Sequence, residues 1–214
     1  MSRRTQKIVI LVAALALILP FGAAGLVGAL GGSDGASDPS ASASADDQRA
    51  RVDPASQPQP APTAMPAPPE GMDVQSAEGA QATLVHLLDA YAPMMATGDT
   101  SVWSEHIDPA CAVCVQFVAT AEQLHSQGGW SVGGEFTVTG TSFEAVGDPP
   151  ASGVVTVDFV QAEQVIVDDP ARTPLTQSGV TARISARMAW DGSRWRVGDM
   201  TLEAAPGAAS DGGA

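Results

Sequence analysis

Residues 180–202 read VTARISARMAWDGSRWRVGDMTL. Val180, Ala182, Ile184, Ala186, Met188 and Trp190 alternate with Thr181, Arg183, Ser185, Arg187 and Ala189. That period of two belongs to a strand with one buried face. Asp191-Gly192 is a two-residue hairpin signal. The strand returning from Arg194 places Trp195 and Val197 inward. After Gly198 the apolar positions change parity, to Met200 and Leu202, which predicts a bulge at that glycine. A two-residue turn sets Trp190 opposite Ser193, Met188 opposite Trp195 and Arg187 opposite Arg196. Arg183, Arg187, Arg194 and Arg196 then share the outer face. Like charges directly opposite one another are unfavourable. Acids on other strands, such as Asp158, Glu163 and Glu135, are the expected compensation. The alternative is a face for an anionic ligand or an acidic partner surface.

Working back along the chain, residues 136–143 form a strand. Residues 154–167 form one long strand, with Val155, Val157, Phe159, Val165 and Val167 on one face. Helical spacing precedes the strands. In residues 76–97, Ala80, Leu84, Leu87, Leu88, Tyr91, Met94 and Met95 recur at steps of three and four, one stripe of a helix. His86 and Asp89 fall on the opposite, solvated face; the functional alternative is an acid–base pair. Pro93 removes a backbone hydrogen bond and kinks this helix. A short helix covers residues 101–107. Asp108 as N-cap and Pro109 at the first position open another helix to about residue 127. Its buried stripe is Val113, Phe117, Ala121 and Leu124, and Gly128-Gly129 ends it.

Helices followed by a meander of strands make an α+β domain, with helices packed on one face of a curved antiparallel sheet of about four strands. Three helices before four long strands resemble the nuclear-transport-factor-2-like (SnoaL-type, cystatin-like) cone. Such a cone encloses an apolar cavity, and Tyr91, Trp103, Phe117, Trp130, Met188 and Trp195 are the candidate lining. A cone can also house an acid–base site, for which Tyr91, His106, Trp103 and Trp130 are the candidates. An apolar core explains Tyr91 and Trp103 equally well.

Cys111 and Cys114 stand three apart on the predicted helix, a separation of about 5 Å and within disulfide range. Outside the cytoplasm the pair is expected to be oxidised. Closing so short a loop contributes only about 2 kcal/mol in the chain-entropy model, so the bond locks a helix start. A redox dithiol is the sharper alternative, because a helix N-terminus lowers a thiol pKa. The pair does not follow a strand in a βαβ unit, as the redox motif does. A metal site is the weakest reading, since two thiolates alone do not complete one.

Composition narrows the function classes. The 214 residues carry 24 acidic and 10 basic side chains, a net charge of −14. Residues 1–71 contribute 5 basic and 6 acidic groups, and residues 72–214 contribute 5 arginines and 18 acids. A domain that acidic repels phosphate backbones, so no nucleic-acid partner is expected. The sequence has no phosphate loop, no nucleophile elbow and no paired-histidine metal motif. No cofactor and no metal are expected.

Arg3, Arg4 and Lys7 precede a charge-free apolar run over residues 8–31. Residues 8–30 suit a signal-anchor that spans the membrane. A cleaved signal peptide is the alternative, with Val27-Gly28-Ala29 as its small-residue site. Both place everything after residue 31 outside the cytoplasm. The expected organisation is therefore a cytoplasmic tip and transmembrane helix (1–31), a disordered Pro/Ser/Ala-rich stalk (32–71), an extracytoplasmic α+β domain (72–204) and a disordered tail (205–214). The stalk holds eight prolines and almost no large apolar side chain, too little to offset its ordering entropy. As a proline-rich docking ligand it lacks a specific anchor in the sequence.

Glu70-Gly71, Glu78-Gly79-Ala80, Ala96-Thr97-Gly98-Asp99-Thr100, the Cys111/Cys114 pair and Gly128-Gly129-Trp130-x-x-Gly133-Gly134 occur in that order. The set resembles an actinobacterial cell-envelope family of unknown function (domain of unknown function 6318) over about residues 70–204. The resemblance implies an oxidised cysteine pair and an extracytoplasmic domain, and no reaction. A looser resemblance is to membrane-anchored proteins associated with mammalian-cell-entry lipid transporters. The expected function is a non-enzymatic binding or interaction module of the envelope, tethered to the membrane, whose partner is an envelope protein. A protein that binds an apolar small ligand or lipid in its cone, and a thiol–disulfide redox protein, are the alternatives.

Overall fold

Ser76 starts the first helix. Its backbone is extended, and its hydroxyl accepts from the Gly79 N–H at 3.0 Å, satisfying one of the donors that a helix N-terminus leaves open. The computed structural model describes residues 48–61 and 63–204. The expected membrane helix and tail lie outside them. Among the described residues no helix is long and apolar enough to cross a membrane.

The first helix, α1, spans Ala77–Asp89. The predicted single kinked helix is in fact two, because a second, α2 (Tyr91–Thr97), begins after a break at Ala90. The break sits one turn before Pro93, whose missing N–H leaves the Asp89 carbonyl without its helical partner. Gly98 closes α2 in the left-handed region (φ 77°), its N–H on Met94 O at 2.8 Å. Next is α3 (Ser101–His106).

The fourth helix, α4, spans Ala112–Ser126 and starts later than expected. Asp108 caps only a turn, accepting from Ala110 N at 2.8 Å. Cys111 is the helix N-cap, and its sulfur accepts from Cys114 N. Phe117, Ala121 and Leu124 face inward as expected, with Cys114 in place of Val113, which is half-buried.

Among the described residues seven strands follow: β1 (Trp130–Gly133), β2 (Phe136–Val146), β3 (Ser152–Gln161), β4 (Gln164–Val167), β5 (Leu175–Gln177), β6 (Val180–Trp190) and β7 (Trp195–Ala204). They form two antiparallel sheets, one ordered β2-β3-β6-β7 and a smaller one ordered β1-β4-β5. The predicted strand over 154–167 is therefore divided between sheets. β1 and β2 turn a corner at Gly134-Glu135, and β3 and β4 turn it beside them at Ala162-Glu163. Gly134 N donates to Glu163 O, and Ala162 N to Glu135 O. Past the corner Gln164, Ile166 and Val167 are buried and Val165 only half-buried, so of the two expected inward residues here Val167 is buried and Val165 is displaced.

The last hairpin keeps the predicted strands and bulge but not the predicted turn. Residues 191–194 all belong to the turn: Asp191 N donates to Arg194 O, and the Asp191 carboxylate accepts from Ser193 N and Arg194 N. These bonds hold its pKa below the ordinary carboxylate range. Trp190 consequently pairs with Trp195 and Met188 with Val197. The bulge at Gly198 then places Arg187 opposite Asp199 instead of Arg196.

The helices cover one face of the larger sheet. Leu84, Leu87 and Leu88 of α1 share a core with Val155, Val157, Phe159, Ile184, Ala186, Met188, Trp195 and Met200. Within residues 48–71, expected as part of a disordered stalk, Arg49, Ala50, Val52, Gln57 and Pro58 are hydrogen-bonded to the domain. Arg49 grips Asp168 through two hydrogen bonds of 2.7 and 2.8 Å. Val52 N donates to Ala171 O, and Thr173 N to Ala50 O. The segment needs no core of its own, because the domain supplies polar partners for its backbone.

Candidate functional site

Five of the six candidate pocket residues are packed into the interior. Trp103 (1 % exposed) and Tyr91 (8 %) each meet the edge of Phe117, at ring separations of 5.2 and 5.6 Å. Tyr91 also meets Phe136 at 5.3 Å. Met188 and Trp195 are buried in the same cluster. Burial pushes the Tyr91 phenol up to about 12, so it keeps its proton at neutral pH. Trp103 Nε1 is buried with no hydrogen-bond partner among the described residues. Trp130, the sixth candidate, lies elsewhere.

His86 is not solvated. It is 2 % exposed and meets the ring of His106 at 6.4 Å, between α1 and α3. Burial lowers its pKa, the neighbouring His106 lowers it further, and Asp89 partly offsets both. The helical wheel missed this because α3 covers a second side of α1.

The four arginines expected on the outer face have carboxylate partners. Arg183 makes a two-point pair with Asp158, at 2.7 and 2.9 Å, and this holds the Asp158 pKa down. Arg187 meets Asp199 at 2.6 Å. Arg194 binds Glu105, and Arg196 approaches Asp191 at 3.7 Å while donating to Ile107 O. Of the acids expected to compensate, Asp158 does so. Asp199, Glu105 and Asp191 take the other places.

Cys111 and Cys114 are joined, with Cα atoms 5.3 Å apart. Both residues are buried at the start of α4. Among the described residues no group of three or more His, Cys, Asp or Glu could hold a metal ion.

An open cleft of about 340 Å³ lies where the ends of α2 and α4 approach β1, lined by Ala96, Thr97, His125, Gly128, Gly129 and Trp130 on the domain and by Gln59 and Pro60 of the N-terminal segment. Trp130 Nε1 donates to the Pro58 carbonyl at 2.7 Å. Gln57, itself buried, donates from Nε2 to Pro170 O and Arg172 O at 2.9 and 2.6 Å. His125 fixes the floor, with Nε2 at 3.1 Å from Met95 O. Sequence reasoning found Trp130 and the proline-rich segment separately. Nothing in their spacing, 72 residues apart, joins them.

A family model described as a family of unknown function (DUF6318) matches residues 50–201. No curated protein matches the sequence. Solved structures similar to the chain include the intermembrane-space region of the chloroplast protein ARC6, at 13% identity and TM-score 0.47, covering 60% of this chain and 97% of that one. A Salmonella enterica protein of the nuclear transport factor 2 (NTF2-like) superfamily matches at 12% identity and TM-score 0.40, covering 64% and 99%. A Caulobacter vibrioides protein described as having a cystatin-like fold matches at 11% identity and TM-score 0.38, covering 58% and 89%.

Proposed function

The chain belongs to DUF6318, a family of unknown function, and we propose that it is a non-enzymatic binding module of the cell envelope, held outside the cytoplasm by its N-terminal apolar run. One observation carries the binding reading. The side chains that could have lined an internal pocket pack against one another, while an open cleft on the surface presents Trp130. The chemistry that remains supports it. Tyr91 is too weak an acid to serve as a base at neutral pH. The buried cysteines lack the access that a catalytic dithiol needs. The membrane attachment rests on residues 3–31: a basic flank followed by an uncharged apolar stretch of spanning length.

Two measurements on cells expressing the full chain test this reading. Protease added outside is expected to digest the domain and spare a cytoplasmic control. A photo-crosslinking side chain at Gln59 is expected to give a discrete adduct that one at Val160, on the exposed face of β3, does not. A protected domain, or an absence of adducts from both positions, would sink the proposal.

A further inference from the structure

We propose that the cleft beside Trp130 is a receptor for an extended proline-rich peptide of another protein, and that the chain's own Gln57–Pro60 segment occupies its rim in cis. The inference rests on the binding-module reading and names the partner chemistry of that same cleft.

Polyproline II helices have no internal hydrogen bonds, so their carbonyls project outward and remain available. Grooves that recognise them offer aromatic surfaces, and an indole adds a donor beside its apolar face. Trp130 supplies both. Its N–H donates to Pro58 O, and the adjoining Gln57 has φ −67° and ψ 143°, in the polyproline II region. Trp130 stands outside the hydrophobic core cluster. Its neighbour Ser131 points the other way and is buried.

The cis segment does not fill the cleft. Pro58 is exposed and Pro60 half-buried, and about 340 Å³ of the open cleft stays unfilled beside them. The segment is held mainly elsewhere, by Asp168 on Arg49 and by the carbonyls of Pro170 and Arg172 on Gln57. Latch and cleft are therefore separable: the latch closes on the β4–β5 loop, and Trp130 lies on β1. A peptide arriving in trans must displace the Pro58 end from Trp130, and its apparent affinity falls with the fraction of time the latch holds that end in place.

The test titrates the full chain with a synthetic peptide of residues 54–69, PASQPQPAPTAMPAPP, measuring affinity by calorimetry and, in proteins that keep Trp130, following its indole N–H resonance. Opening the latch with Arg49→Ala and Gln57→Ala is expected to tighten peptide binding at least tenfold. Adding Trp130→Phe, which keeps the ring and removes the donor, is expected to reverse the gain at least tenfold. Asp168→Asn loosens the latch from the domain side and serves in place of the double variant if that one does not fold. The proposal is overturned if the latch-opened protein shows no peptide-dependent shift, or if a proline-free peptide of equal length and charge shifts the resonance equally. It is also overturned if the protein instead dimerises and ignores added peptide, since the occupant is then a second copy's segment. A failed titration beside a specific adduct at Gln59 removes the proline-peptide inference alone; failure of both removes the binding reading too.

Discussion

Trp195 and Val74 are joined across 121 residues: the indole Nε1 on β7 donates to the Val74 carbonyl at 3.0 Å. The same carbonyl accepts from Ser76 N at 2.8 Å, in the turn that caps α1. One backbone oxygen therefore ties the helix start to the far end of the sheet.

Replacing the two buried tryptophans by phenylalanine should separate them. Trp195→Phe loses a made hydrogen bond as well as volume. Trp103→Phe loses volume but also removes an N–H that has no partner among the described residues, which offsets part of its cost. Urea unfolding is expected to show Trp195→Phe as the less stable variant by about 1 kcal/mol. Equal losses would mean that the Val74 bond contributes nothing net.

Gly79→Ala tests the same corner from the helix side. Alanine in place of a helical glycine ordinarily stabilises by about 1 kcal/mol. Here a Cβ would lie 2.2 Å from Val74 O, a backbone atom pinned by two hydrogen bonds. A net loss of about 1–3 kcal/mol is expected, the usual cost of overpacking. A thermal melt above that of the wild type would refute it.

Breaking the cysteine pair while keeping a cap should cost a modest amount. Cys111→Ser with Cys114→Ala leaves a hydroxyl that can accept from the backbone at position 114. The remaining loss is the loop-closure term, about 2 kcal/mol, seen as a lower urea midpoint with unchanged slope. In the native wild-type protein, both sulfurs are buried, so reduction by dithiothreitol should keep pace with unfolding. Reduction much faster than unfolding would show the bond to be accessible.

Stability should fall in mild acid through His86. Its folded pKa lies below the unfolded value of about 6.5. The unfolded chain then binds a proton that the folded chain refuses, so stability is full above that value and declines as pH drops through it. Comparing urea midpoints at pH 7.5 and 5.5, His86→Gln is expected to show a smaller drop than the wild type. An equal drop would place the acid sensitivity elsewhere.

What the sequence made legible was mostly local. The alternation in residues 180–190 matches β6 (Val180–Trp190), and the parity change at Gly198 marks the bulge in β7. The hairpin register was lost to one side chain: Asp191 accepts two turn N–H groups and lengthens the connection. The corner at Ala162-Glu163 carries no Gly or Pro of its own. Its signal lies on the paired strand, in Gly133-Gly134, and becomes visible only once the pairing is known. His86 was misplaced because one stripe cannot report a helix covered on two sides. The cleft was illegible for a similar reason: Trp130 and Pro58 meet only after the fold has formed.

The latched segment also has a consequence for distance. Fully extended, the chain from Gly31 to Arg49 spans at most about 60 Å, and from Gly31 to Met72 about 140 Å. For a domain tethered as proposed, closing the Arg49–Asp168 latch more than halves the height above the bilayer at which it can work. Releasing that pair together with the bonds at Ala50, Val52, Gln57 and Pro58 frees roughly 80 Å of leash. Whatever peels the whole segment from the β4–β5 loop and Trp130 would thereby choose which layer of the envelope the domain can touch.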